Sequence, residues 1–342
     1  MDSMMQQQKE LRAQMIELSD LVKNIDSRYA SLEHEILAQK FRVLNGHHKK
    51  LQEKMVVTEQ ELSARMWCKN HADEELFHER LQVDNWPAEW KTWTRYDETA
   101  FSTNAKVLPQ LLLEAMLMHI ICEKILTNPL FFLPWRMNPL GGGEDQDVNE
   151  ASTALRKELS TSMVNVLEEL IAGDMEGGHA WRSQWLRLLD PKPRGDESEM
   201  QRLNDTKIRT AEARKEAAQE TMNVFVRSTA HHLICYRSLQ PETEASLREI
   251  FINAAELSYK LWQRKSYLEF RGMKDLPRTF NNGVDILQPH RMHNVALGDD
   301  ATALDGATVL MVTHPAVLVH GASDGSDYGR SGILKAAVVW VG

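Results

Sequence analysis

The stretch LRAQMIELSDLVKNIDSRYASLEHEILAQKFRV, Leu11 to Val43, places its apolar residues at alternating gaps of four and three. Leu11, Leu18, Ile25, Leu32 and Gln39 fall at heptad position d, and Met15, Val22, Tyr29, Ile36 and Val43 at position a. A 3.5-residue repeat keeps one seam facing a partner helix along its whole length. β-Branched or bulky a residues with leucine-rich d favour two parallel strands. The flanking charges agree, because a g residue meets the partner's e residue five positions on, so Arg28 faces Glu33 and Glu35 faces Lys40. The seam therefore predicts a homodimer with Leu11, Met15, Leu18, Val22, Ile25, Tyr29, Leu32, Ile36 and Val43 at its interface. The alternative is that the same stripe folds back onto the protein's own body.

Beyond Gly46 the four-three spacing restarts at Leu51, Met55, Thr58, Leu62 and Arg65, but the step from Val43 to Leu51 is eight residues. A helical hairpin or a stutter must separate the two stretches. Residues 1–72 are thus read as coiled-coil helices. Residues 73–275 read as a helical body, with flexible breaks near 141–146 and 191–199. In it, Trp86, Trp90 and Trp93 cluster around Pro87 and predict an aromatic junction or a binding wall.

Pro109 opens the most apolar helix, Gln110 to Leu126, which is apolar nearly all round and so belongs in a core. Its charges, Glu114 and Glu123 among them, argue against a membrane span. His119 and Glu123, one turn apart, are expected to form a hydrogen-bonded core pair. Further helices follow, each with its expected apolar side. Leu155, Leu159, Met163, Val166 and Leu170 form one stripe. Trp181, Trp185, Leu188 and Leu189 form the next, with Arg182 and Arg187 elsewhere. A charged helix from Glu199 to Tyr236 carries Arg214 on a solvated face, and another helix runs from Glu242 to Arg271. After Gly272, turn signals punctuate β-prone runs at Val284–Leu287, Thr308–Thr313, Ala316–His320 and Leu334–Val341. Residues 276–342 read as a small β-rich module covered on at least one side by helices. The fold class is mainly α: an N-terminal coiled coil, a helical body and that β-rich C-terminal module.

Composition narrows the function. Apolar residues make up 42% and charged residues 26% of the 342, enough to fold most of the chain. A formal charge of −9 disfavours an extended nucleic-acid surface. Cys68, Cys122 and Cys235 are too far apart for a disulfide framework or a CxxC zinc site, and the polar first ten residues resemble neither a secretory signal nor a transit peptide. The expected address is the cytoplasm or nucleus, with no membrane partner. Gly141-Gly142-Gly143 lacks the ending of a phosphate-binding loop, so no cofactor is expected.

Chemically useful side chains gather only in the C-terminal module, at His290, His293, His314 and His320 with Asp324 and Asp327. Three such ligands and an open position make a catalytic metal site. Their spacing matches neither HExxH nor a facial triad, and turn and strand-end histidines are the plainer reading. The leading expectation is a non-enzymatic interaction or scaffold protein that self-associates through the coiled coil and binds an unidentified protein partner. A metal-dependent enzyme using these histidines is the alternative.

The segment from Val312 to Gly321, followed by Asp324-Gly325-Ser326-Asp327-Tyr328 and Lys335 to Trp340, resembles a C-terminal segment of uncharacterised proteins from filamentous fungi. The resemblance covers about the last tenth of the chain. It implies a eukaryotic intracellular setting and no particular activity.

Overall fold

The computed structural model describes Gln60, residues 63–72, Thr94, Arg95, residues 107–136, 146–192, 195–234 and 241–293, Asp300, and residues 302–322 and 325–342. All belong to one compact unit, Lys54–Gly342. The heptad seam and the tryptophans Trp86, Trp90 and Trp93 lie outside the described residues.

The unit is mostly helical, with a C-terminal β module of two sheets. Its helices are α1 (Leu108–Ile121), continued by a π-helical turn (Cys122–Leu126), α2 (Leu133–Arg136), α3 (Gln146–Gly173), α4 (Met175–Leu188), α5 (Glu197–Arg227) and α6 (Pro241–Trp262). The strands are β1 (Tyr267–Arg271), β2 (Leu287–Pro289), β3 (Val309–His314), β4 (Ala316–His320), β5 (Ser331–Lys335) and β6 (Ala337–Val341). One sheet has the order β1-β4-β5, antiparallel throughout; the other is β2-β6-β3, with β2 parallel to β6. Among the described residues no helix is long and apolar enough to cross a membrane.

Helix α1 is the centre of the core. Proline lies in its first turn, where a fixed φ and a missing N–H cost nothing. Leu111, Leu112, Leu113, Leu117 and Ile121 have no exposure at all, and each contributes roughly 1.5–3 kcal/mol by leaving water. The π-helical turn directs its carbonyls at α6: Ser258 Oγ donates to Ile125 O and Trp262 Nε1 to Leu126 O. On its other side α1 packs on β3. Strand β3 is buried at every residue, with Leu310 and Met311 in the helical core and Val309 and Val312 in the core of the β module. Its apolar run without clean alternation follows from that two-sided burial.

Several expected faces and boundaries differ. Among the described side chains of α3 the buried ones are Ser160 and Leu167, while Val166 and Leu170 are 48% and 41% exposed. Helix α4 packs against α3 near Ile171 instead. The two helices approach closely at Gly178, where a Cβ would fall 2.8 Å from Ile171. On α4 it is Arg182, 1% exposed, that faces inward, while Leu188 is 58% exposed. Helix α5 stops at Ser228, whose extended backbone and hydroxyl start a 3-10 turn, Thr229–His232. Arg214 is buried rather than solvated: its guanidinium reaches Glu256 Oε1 at 3.0 Å and lies 4.2 Å over the Tyr259 ring. Helix α6 ends at Trp262, and Tyr267–Arg271 is a strand. Side chains of α4 capture the intervening carbonyls: Ser183 and Arg187 donate to Gln263 O, and Arg182 donates to the carbonyls of Arg264, Lys265 and Ser266.

Candidate functional site

A lone carboxylate in the middle of an apolar helix must find donors, because stripping its water costs several kcal/mol. Glu114 finds three. Its Oε1 lies 3.1 Å from Arg65 Nε, 3.4 Å from His314 Nδ1 and 3.6 Å from His290 Nε2. Glu114, His290 and His314 are each 0% exposed. Arg65 comes from the helical segment 63–71, His314 from the end of β3, and His290 directly follows β2, its N–H held by Val339 O. The cluster therefore ties the helical body to the β module.

The neighbours fix the ring tautomers. His290 Nδ1 accepts from Met292 N–H, which leaves the proton on Nε2, facing Glu114. His314 Nδ1 faces both Glu114 Oε1 and Thr313 Oγ1, and Thr313 donates its own proton to Val338 O. That nitrogen carries its proton too. Desolvation raises the Glu114 pKa, but hydrogen bonding from His290 and the electrostatic influence of the His314 and His290 rings and the Arg65 guanidinium outweigh it and bring the value down to about 2. The same carboxylate adds to burial in pushing the Cys68 thiol well above its ordinary range. A raised thiol pKa makes Cys68 a poor nucleophile.

The four C-terminal histidines occupy three environments. His290 and His314 converge on Glu114. His293 instead accepts from Val341 N–H through Nε2 and packs its ring 4.0 Å from that of Trp340. His320 lies on the other sheet, with Nε2 2.5 Å from Glu269 Oε2 and its ring stacked on Tyr267. Hydrogen bonding from Arg271 holds the Glu269 carboxyl below its usual range against partial desolvation, with His320 helping. Asp327 pairs with Arg330, and Asp324 lies outside the described residues. Among the described residues, no group of three or more His, Cys, Asp or Glu side chains has the geometry to hold a metal ion. The expected His119–Glu123 pair exists at 3.4 Å, but its side chains are 43% and 51% exposed, so it belongs to a rim and not to the core. That rim borders a cleft of about 310 Å³ between the C-terminal end of α1 and β3.

Glu114 and Arg65 are the members that sequence reading missed. The signal was present: a single acid amid Leu111, Leu112, Leu113, Met116 and Leu117 has to be compensated by something distant. Only its cost in a membrane was considered.

A second buried histidine gives a pH prediction. His179, on α4 and 4% exposed, accepts a 2.9 Å hydrogen bond from Arg182 and stacks on Tyr267. Desolvation, then the Arg182 charge, lowers its pKa from 6.5 to about 4. With the folded value depressed, the unfolded chain binds this proton first. Stability is fully present above pH 6.5 and is lost as pH falls towards 4, by about 3 kcal/mol. Glu114 acts lower, from about 4.5 down to about 2, with the same sign. Urea unfolding between pH 7 and 4 should show this loss together with that of His293, whose pKa desolvation also lowers to about 4, and His179→Gln should remove the His179 share of the slope; an unchanged slope in that variant refutes the assignment.

Comparison with protein-family models, curated proteins and solved structures finds no match for this chain.

Proposed function

We propose that the protein is a non-enzymatic interaction or scaffold protein that self-associates through Leu11 to Val43 and presents the body as a surface for a protein partner. The observation that carries this reading is the heptad seam, whose a and d residues and the Arg28–Glu33 and Glu35–Lys40 charges favour a parallel pair. Two features of the body support it. Its convergent ionisable groups, Glu114, His290 and His314, have no exposure, so a substrate does not reach them, and their geometry suits bracing. Val166 and Leu170 lie one turn apart on α3 and turn apolar side chains to solvent, as a docking face does. The net charge fits neither a nucleic acid nor an anionic membrane as partner. The cytoplasm or nucleus is the proposed setting, on the sparse, widely spaced cysteines.

Replacing Val22 and Leu32 together by glutamate puts four charges into the seam of a dimer. Light scattering on the full chain should then give half the parent mass. A parent that is already monomeric, or a variant whose mass does not change, removes the self-association reading.

A further inference from the structure

Two arginines of the helical body stand at one helix junction with no carboxylate between them. Arg136 ends α2 and Arg209 lies on α5, and the two helices pack against each other. Tyr259 of α6 marks their junction. Its ring meets Phe132, one turn before Arg136, edge-on at 5.4 Å, and the Arg214 guanidinium, just over one turn beyond Arg209, lies 4.2 Å over its face. The Arg136 Nε is buried and makes no hydrogen bond. Burial, then the nearby Arg209 cation, lowers the Arg136 pKa. An arginine starts above about 12, so both guanidiniums stay charged at neutral pH.

The acids around the junction are committed elsewhere. Glu256 takes the Arg214 guanidinium through both oxygens, at 3.0 and 3.2 Å, and Asp190 faces Lys207 at 3.6 Å. Asp205, one turn before Arg209, accepts from Gln201 at 2.8 Å. Among the described residues neither Arg136 nor Arg209 forms an ion pair, and that holds for Arg209 with Asp205 and Glu212 on its own helix. Like charges held together in a folded protein cost stability unless an anion sits with them. A carboxylate would balance one of these cations; a phosphate dianion balances both, and its oxygens suit the planar donor forks of two guanidiniums. From these two unpaired guanidiniums on facing helices, we infer that the junction of α2 and α5 binds a phosphate group, as the free anion or as a monoester. This goes beyond the scaffold reading and does not depend on it.

The test is titration of the full chain at constant ionic strength and pH 7.5 with inorganic phosphate and with phenyl phosphate, up to on the order of 10 mM, followed by calorimetry and by Tm and set beside sodium chloride and acetate. At least one phosphate should saturate the protein and raise its Tm, and chloride and acetate should do neither. Saturation by inorganic phosphate alone identifies the free anion, and saturation by phenyl phosphate identifies a monoester. Arg209→Gln and Arg136→Gln should each weaken the phosphate about tenfold or more. Arg209 is exposed, so its variant keeps the fold, as circular dichroism would verify, and without phosphate its Tm should be no lower than the parent's, because one of two like charges is gone. The inference is overturned if neither phosphate saturates, if chloride or acetate does as much at the same ionic strength, or if Arg209→Gln binds phosphate as the parent does.

Discussion

Replacing Glu114 by alanine is expected to lower the unfolding free energy by about 3–5 kcal/mol, because Arg65, His290 and His314 would keep their buried N–H groups and lose the anion that compensates them. The cost is one of abandonment rather than of the pair's intrinsic worth. Two charges taken out of water barely recover their solvation through mutual attraction, so a buried ion cluster adds little over an apolar core of the same volume. The fourfold variant Glu114→Leu, Arg65→Met, His290→Leu, His314→Leu should accordingly be more stable than Glu114→Ala alone. For a unit of this size each kcal/mol corresponds to about 2–4 °C in Tm, and the urea midpoint should move with m unchanged. If the single variant loses less than about 1 kcal/mol, the anion is not what holds those donors, and the cluster's bridging role fails with it.

What could be read from the sequence follows from how locally each feature is determined. Helix α1 was legible because Pro109 and a run of leucines are a local signal, and β3, β4 and β6 because β-branched runs between turn residues are another. The inward face of α4 was not. Leucine and tryptophan marked one side as apolar, yet the buried side carries Arg182, whose partners are carbonyls of another helix's end some eighty residues on. The same contact explains the misplaced end of α6: no glycine or proline stops that helix, and its stop signal lies on α4. On α3 the last turns carry apolar residues on two adjacent faces, Val166 and Leu170 on one and Leu167 with Ile171 on the other, and the contact with α4 lies at Ile171. In the candidate site the histidines are legible as a cluster close in sequence, whereas Glu114 stands alone in an apolar run with no ionisable neighbour to mark it. The donors that surround it lie far apart in the chain and meet only through the contact of α1 with β3.

Arg182→Met should rival Glu114→Ala in its effect, and for a different physical reason. Among the described residues Arg182 forms no ion pair with a carboxylate. Its guanidinium spreads over the carbonyls of Arg264, Lys265 and Ser266, donates to His179 Nδ1, and lies 4.8 Å over the Trp262 ring. Those carbonyls follow the C-terminus of α6, where the helix dipole favours a cation. Desolvation lowers the arginine's pKa to about 10, which leaves it charged at neutral pH. Methionine restores most of the volume but none of the donors, so the buried Ser266 carbonyl and the half-buried Arg264 carbonyl go without this partner at roughly 1–3 kcal/mol each, for a net loss of about 2–5 kcal/mol. Arg182→Lys should recover only part of that, since an ammonium cannot span several carbonyls as a planar fork does. The damage should also be local: amide exchange should rise first at residues 263–271, where α6 passes into β1, before it rises in α1. A variant that loses less than about 1 kcal/mol, or whose exchange rises uniformly, would mean that water replaces the guanidinium and that Arg182 does not set the end of α6.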